Sequence, residues 1–201
     1  MAFVKVTLDE NVTQYVGKVV GNLKDPRKAL DAIGEGLVSS TQKRIAKGDF
    51  APNAPLTVKM KRGSNPLRDR GILMQSITKQ VGENWVKVGS GLIYARIHQY
   101  GGVISAKRAE KLAIPAFEPE QKRLPPRDYL TRLKGRGWRI WSTPGAILGR
   151  PPGGNTTVVL YVRKKSVRIP QREYLRLDEQ DWKLIRDILC VEILMQGAMQ
   201  K

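Results

Sequence analysis

One histidine and one cysteine are all the imidazole and thiol that this 201-residue chain contains. They are His98 and Cys190, 92 positions apart. A zinc site takes about four Cys, His or carboxylate ligands at short spacings, so this pair makes no metal centre. A hydrolase using His98 as its base would need a presented nucleophile, and the sequence has no GxSxG elbow to present one. "GRPPGGN" (149–155) has glycines but lacks the Gly-Lys-Ser/Thr ending of a phosphate loop. Glu118 and Glu120 would be the paired carboxylates of a hydrolase, yet they lie in a proline-rich loop beside Lys122 and Arg123. The residue types therefore predict no catalytic set, no metal and no cofactor.

Two cationic stretches suggest binding instead. "KGRGWRIW" (134–141) partly follows the RNA-recognition pattern of basic, glycine and aromatic positions. Arg136 stands where an aromatic should stack, and Arg139 where an aliphatic should pack. A basic hairpin with tryptophans can hold phosphates and stack on bases; the competing reading is a surface hairpin anchored by Trp138 and Trp141. In "VRKKSVR" (162–168), Arg163, Lys165 and Val167 share one face of an extended strand, and Val162, Lys164, Ser166 and Arg168 the other. Charge on both faces predicts an edge strand, where lysine blocks unwanted pairing, or a strand meeting an acidic partner. Arg136, Arg139, Arg163, Lys164, Lys165 and Arg168 are thus the candidate contacts for phosphate or an acidic surface.

The whole-chain balance points the same way. Thirty-six Lys and Arg against 18 Asp and Glu give +18, with a pI near 10.3. The excess is uneven: residues 1–104 carry 16 basic and 8 acidic side chains, residues 105–176 carry 17 and 5, and residues 177–201 carry 3 and 5. The middle stretch holds +12 of the +18, so it is the expected electrostatic contact surface. With 41% hydrophobic residues the chain is in the globular range. No apolar run reaches bilayer length, so no membrane association is expected. "MAFVKVTLDENV" lacks the features of a signal peptide, and one cysteine fits folding in a reducing cytoplasm.

These segments need a scaffold, and hydrophobic period supplies one. "AFVKVTL" alternates as a short first strand. Leu30, Ile33, Leu37, Thr41 and Ile45 then fall at helical spacing over 26–47, with Asp25–Pro26 as the start and Gly48 as the stop. Gly34 and Gly36 weaken that helix and permit close packing against another backbone. Residues 48–66 read as a mobile loop. A helical turn precedes a hairpin, Ile77–Val81 and Trp85–Val88 around "GEN". "YARIHQYGG" (94–102) reads as a short helix that Gly101–Gly102 ends. Residues 105–155, whose prolines forbid long elements, read as an insertion with small strands of its own. "TTVVLYVRKKSVRIP" is one strand or two. A last helix starts at the Asp178 cap and carries the stripe Trp182, Ile185, Leu189 and Ile193. The expected fold is α+β: two long helices packed on a small, mostly antiparallel sheet, a single domain over 1–201 with a basic, proline-rich insertion at 105–155.

Three blocks in order, "NPLRDRGILMQSI" (65–77), "VKVGSGLIYARIHQYGG" (86–102) and "KSVRIPQREYLRLDEQDWKLI" (165–185), resemble the virion morphogenesis proteins of Mu-like tailed phages and prophages, grouped with tail-completion and neck proteins. Here "RDRG" replaces the usual Asp-Thr-Gly, and "IPQREYL" replaces the usual Pro-Ala-Arg-Pro-Phe-Leu. The resemblance implies a non-enzymatic virion part at the neck, assembled in the host cytoplasm. It implies a homo-oligomeric ring, six-fold or twelve-fold, between head-connector and tail-tube proteins, with DNA in its channel. In that setting Tyr94, His98, Tyr100, Gly101 and Gly102 are framework, and Trp182, Ile185 and Leu189 are candidate subunit contacts. The competing class is a free-standing basic nucleic-acid-binding protein.

Overall fold

The computed structural model describes residues 26–61, 63–107 and 109–198. The expected first strand at "AFVKVTL" and the Asp25 cap lie outside them. The fold is α+β with small antiparallel sheets, and the chain divides into two compact units. The first comprises residues up to Ala51, Pro66–Tyr100 and Gln171 onward; the second comprises Pro52–Asn65 and Gly101–Pro170.

The first unit is built on α1 (Pro26–Lys47) and the last helix, α6 (Glu179–Ala198), of 22 and 20 residues. Ala29, Leu30 and Ile33 of α1 bury against Ile185 and Leu189 of α6; full burial of each large aliphatic contributes roughly 1.5–3 kcal/mol. The α1 glycines serve this packing. A Cβ on Gly34 would meet Lys79 Cδ at 2.8 Å and Val86 Cγ2 at 2.9 Å, and one on Gly36 would collide with Leu184. The close approach is to side chains, not to another backbone as the sequence suggested.

Between the long helices lie α3 (Ile72–Gln75), the hairpin β1 (Ile77–Val81) and β2 (Val86–Ser90), and α4 (Ala95–Tyr100). Gly71, in the segment that replaces Asp-Thr-Gly, caps α3 with φ +79°, a backbone state that a residue with a Cβ resists. Ile45, Leu73, Ile77, Ala95, Tyr174 and Leu175 form this unit's second apolar cluster.

The second unit starts with α2 (Pro55–Lys59), inside the stretch expected to be loop. Strands β3 (Gly102–Ser105) and β8 (Ser166–Ile169) form a two-stranded ribbon. Strands β4 (Leu112–Pro115), β5 (Arg139–Ser142), β6 (Ala146–Arg150) and β7 (Val158–Lys164) form a sheet in the order β4-β7-β6-β5, with α5 (Pro126–Gly135) contributing Tyr129 and Leu133 to the core over Leu160 and Tyr161.

Three expectations change here. Residues 105–155 do hold a regular helix, because Pro126 sits at the first turn of α5, where its missing N–H costs nothing. The strand expected at 156–169 is two, and only its second part is an edge: β7 is hydrogen-bonded on both sides, the chain changes sheet at Lys165, and β8 pairs with β3 alone among the described residues. Among the described residues the sheet is not one but three, all antiparallel, and the largest of these belongs to the second unit.

Candidate functional site

"YARIHQYGG" becomes α4 and the turn after it, with Gly101 at φ +68° and Gly102 at φ +145°. Its chemistry is structural. The His98 ring packs edge-on to Tyr94, centroids 6.0 Å apart, and its Nδ1 is buried without a hydrogen-bond partner. Burial, with the Arg172 guanidinium as the smaller cause, holds its pKa below the ordinary histidine value, so the ring is neutral at pH 7.

The stronger ties come from its neighbours. Gln99, 3% exposed, donates from Nε2 to Leu175 O (2.7 Å) and accepts at Oε1 from Tyr174 N (3.1 Å) and Leu175 N (2.9 Å). Tyr174 donates its hydroxyl to Ala95 O (3.1 Å). Arg172 N donates to His98 O (2.8 Å), and Arg172 Nε to Ala51 O (2.8 Å). Within the first unit, Arg172 thus ties together the segments at Ala51, His98 and Gln171, next to three points where the chain leaves or re-enters that unit. Of the two framework tyrosines, Tyr94 does pack on His98 but is 42% exposed, and Tyr100 is 51% exposed. Gln99, Arg172 and Tyr174 carry the motif.

A second polar centre fixes the start of α6. Asp178 Oδ1 accepts from the backbone N–H of Gln180 and Asp181 (both 3.1 Å), and Asp181 Oδ2 accepts from Asp178 N. Arg44 Nη2 reaches both carboxylates at 2.8 Å, and Arg44 Nη1 donates to Tyr174 O. The guanidinium holds the Asp178 pKa below its ordinary value, against a smaller opposing effect of burial.

The carboxylates weighed as an acid–base pair are also framework. Glu118 caps the 3-10 turn Pro119–Arg123 and accepts the Tyr129 hydroxyl at 2.6 Å. Glu120 lies 3.8 Å from Arg123. Among the described residues no cluster of His, Cys, Asp and Glu could hold a metal, and no helix is long and apolar enough to cross a membrane.

The candidate cations all fall in the second unit, which holds 18 Lys and Arg against 4 Asp and Glu, +14 of the chain's +18. Arg136, Arg139, Lys164, Lys165 and Arg168 are exposed, and none makes an ion pair among the described residues. Arg163 differs: half-buried, it donates to Thr143 O (3.2 Å) and so serves the fold. Arg150, opposite Arg139 in the β5–β6 register, was not singled out by the sequence. Trp138 is an anchor, edge-on to Phe117 at 5.6 Å, whereas Trp141 is 38% exposed.

Of the stripe on the last helix, Ile185 and Leu189 are buried against α1 and Trp182 is half-buried beside them. They are occupied within the chain. The apolar surface that α6 leaves open is nearer its end: Val191, Ile193, Leu194 and Met195.

Comparison with known proteins adds a frame. Residues 8–136 match the model of the phage virion morphogenesis family. The chain is also 30% identical over 112 residues to the Mu-like prophage FluMu G protein 2 of Haemophilus influenzae, an alignment covering 55% of this chain and 80% of that protein. No solved structure matches.

Proposed function

The chain belongs to the phage virion morphogenesis family, and from that premise we propose that it is a structural part of the virion neck that joins the DNA-filled head to the tail. The family match over residues 8–136 carries this reading. Family membership favours a structural role over an enzymatic one, and the polar groups weighed for catalysis being tied into the framework supports it. The protein acts as a closed homo-oligomeric ring of six or twelve copies, since repeated head-to-tail contacts must close or they grow into filaments. It is made in the host cytoplasm and remains in the virion, between head-connector and tail-tube proteins, as a tail-completion or connector ring. Val191, Ile193, Leu194 and Met195 on α6 are the proposed contact with a second copy, since they are exposed where Ile185 and Leu189 are not.

A lysate made without the protein tests the proposal. DNA-filled heads and finished tails should accumulate unjoined, and adding the purified protein should restore infectious particles. A lysate containing only empty heads, or no tails, would contradict the joining role. The second unit's charge also fits a free-standing nucleic-acid-binding protein. That reading requires the protein to be missing from purified particles.

A further inference from the structure

In the second unit, the sheet face turned away from α5 carries an arrangement that folding does not explain. Arg139 and Arg150 stand directly opposite each other in the β5–β6 register, on one face with Trp141. Like charges directly opposed across two strands destabilise a sheet, and neither arginine has a carboxylate partner among the described residues. Arg150 is nevertheless held in place. Its Nη2 donates to Thr157 Oγ1 (3.2 Å), and its guanidinium lies 6.0 Å from the Trp141 ring centre. Its Nε is buried and has no hydrogen-bond partner. Arg139 and Trp141 are exposed beside it.

We infer that Arg139 and Arg150, set against Trp141, form a contact for the phosphate backbone of duplex DNA. A phosphate between the two guanidinium groups replaces their repulsion with charge-assisted hydrogen bonds, and the open sheet face leaves room for a long polyanion. Lys164 lies on the same outer face at the far side of the sheet, opposite Leu112. A polymer of uniform negative charge therefore meets cations along the face and releases counterions at each. The contacts are to phosphate oxygens, so the binding is blind to sequence. The inference goes beyond the neck reading and stands without it.

Titration of a labelled duplex with the full chain, read by anisotropy across a salt series, tests it. R139Q/R150Q should weaken binding by about tenfold or more at 0.1 M salt and make the log–log salt slope shallower by about 2. R127Q/R132Q removes the same charge from the exposed side of α5, on the other face of the sheet, and should change affinity by less than about threefold. R139Q alone alters an exposed side chain and should make the slope shallower by about 1, which keeps the test open if the double variant fails to fold. W141F should abolish most of the intrinsic fluorescence change on DNA addition. Equal losses from R139Q/R150Q and R127Q/R132Q would overturn the patch in favour of diffuse charge. Binding to polyglutamate in place of duplex would overturn DNA as the partner.

Discussion

In the first unit Arg44 is held by Asp178 and Asp181, and Lys79 by Asp31 and Glu35. In the second, Arg136, Arg139, Lys164, Lys165 and Arg168 face solvent without a carboxylate among the described residues. The first unit uses charge to fasten distant segments: Arg44 links α1 to the start of α6 across more than 130 positions. The second is held by an apolar core of Tyr129, Leu133, Leu160 and Tyr161, and these five cations take no part in that core. A charge engaged in folding is unavailable to a partner, and an unpaired one remains available. The contrast therefore places the first unit's charges in the framework and leaves the second unit's cations to the proposed contact.

The most damaging break should be Arg44→Met. Asp181, 2% exposed, would lose its countercharge, and a buried carboxylate left alone costs about 3–5 kcal/mol; chemical denaturation reads the loss directly. The pH dependence sharpens the point. Because the folded Asp178 pKa is depressed, its contribution is present above the ordinary carboxylate pKa and is lost as pH falls through the lowered value. The variant's melting temperature should therefore fall less on acidification than that of the parent.

Gln99→Ala comes next. It strands the N–H groups of Tyr174 and Leu175 and the Leu175 carbonyl, for about 2–4 kcal/mol. Restored stability in Gln99→Leu would show that packing, not hydrogen bonding, holds the motif. His98→Ala should cost about 1–3 kcal/mol through lost packing and leave assembly intact at low temperature. The folded His98 pKa is lowered, so its contribution is complete above the ordinary histidine pKa and declines as pH drops below it. His98→Ala should remove that decline between about pH 7 and 5; an unchanged profile would mean the ring is not buried in neutral form. The smallest effect on stability should come from Lys164→Gln/Lys165→Gln, under about 0.5 kcal/mol each, measured by the same melts.

Some of this arrangement was legible beforehand. The helix over 26–47 announced itself through apolar spacing, and the hairpin, expected over 77–88 and found over 77–90, through alternation around "GEN". The cap at Asp178 followed from an acid before a periodic stripe. Other features left no local trace. Pro125–Pro126 reads equally as a breaker or a first turn, and the core beneath Tyr129 and Leu133 decides for the helix. Charge on both faces of 162–168 suggested an edge, which holds for β8, paired with β3 alone among the described residues; Arg163 satisfies itself on Thr143 O and Lys164 lies at the last position of β7, so β7 can be internal. Gln99 stood beside the histidine that drew attention. A buried amide that satisfies a distant backbone has no signature in spacing, because its partners lie 75 and 76 positions away.

Cutting away most of the second unit tests this division of labour most directly. Val103 and Arg168 are cross-strand partners, so Ile104–Val167 can be replaced by an Asn-Gly turn, which suits a two-residue hairpin. The trimmed chain keeps the ties of Gln99, Arg172 and Arg44. It should melt in one cooperative transition, yet restore no infectious particles when added to a lysate of unjoined heads and tails. A trimmed chain that only aggregates would contradict the first unit as an independent framework, and one that restores full titre would contradict the second unit as the contact surface.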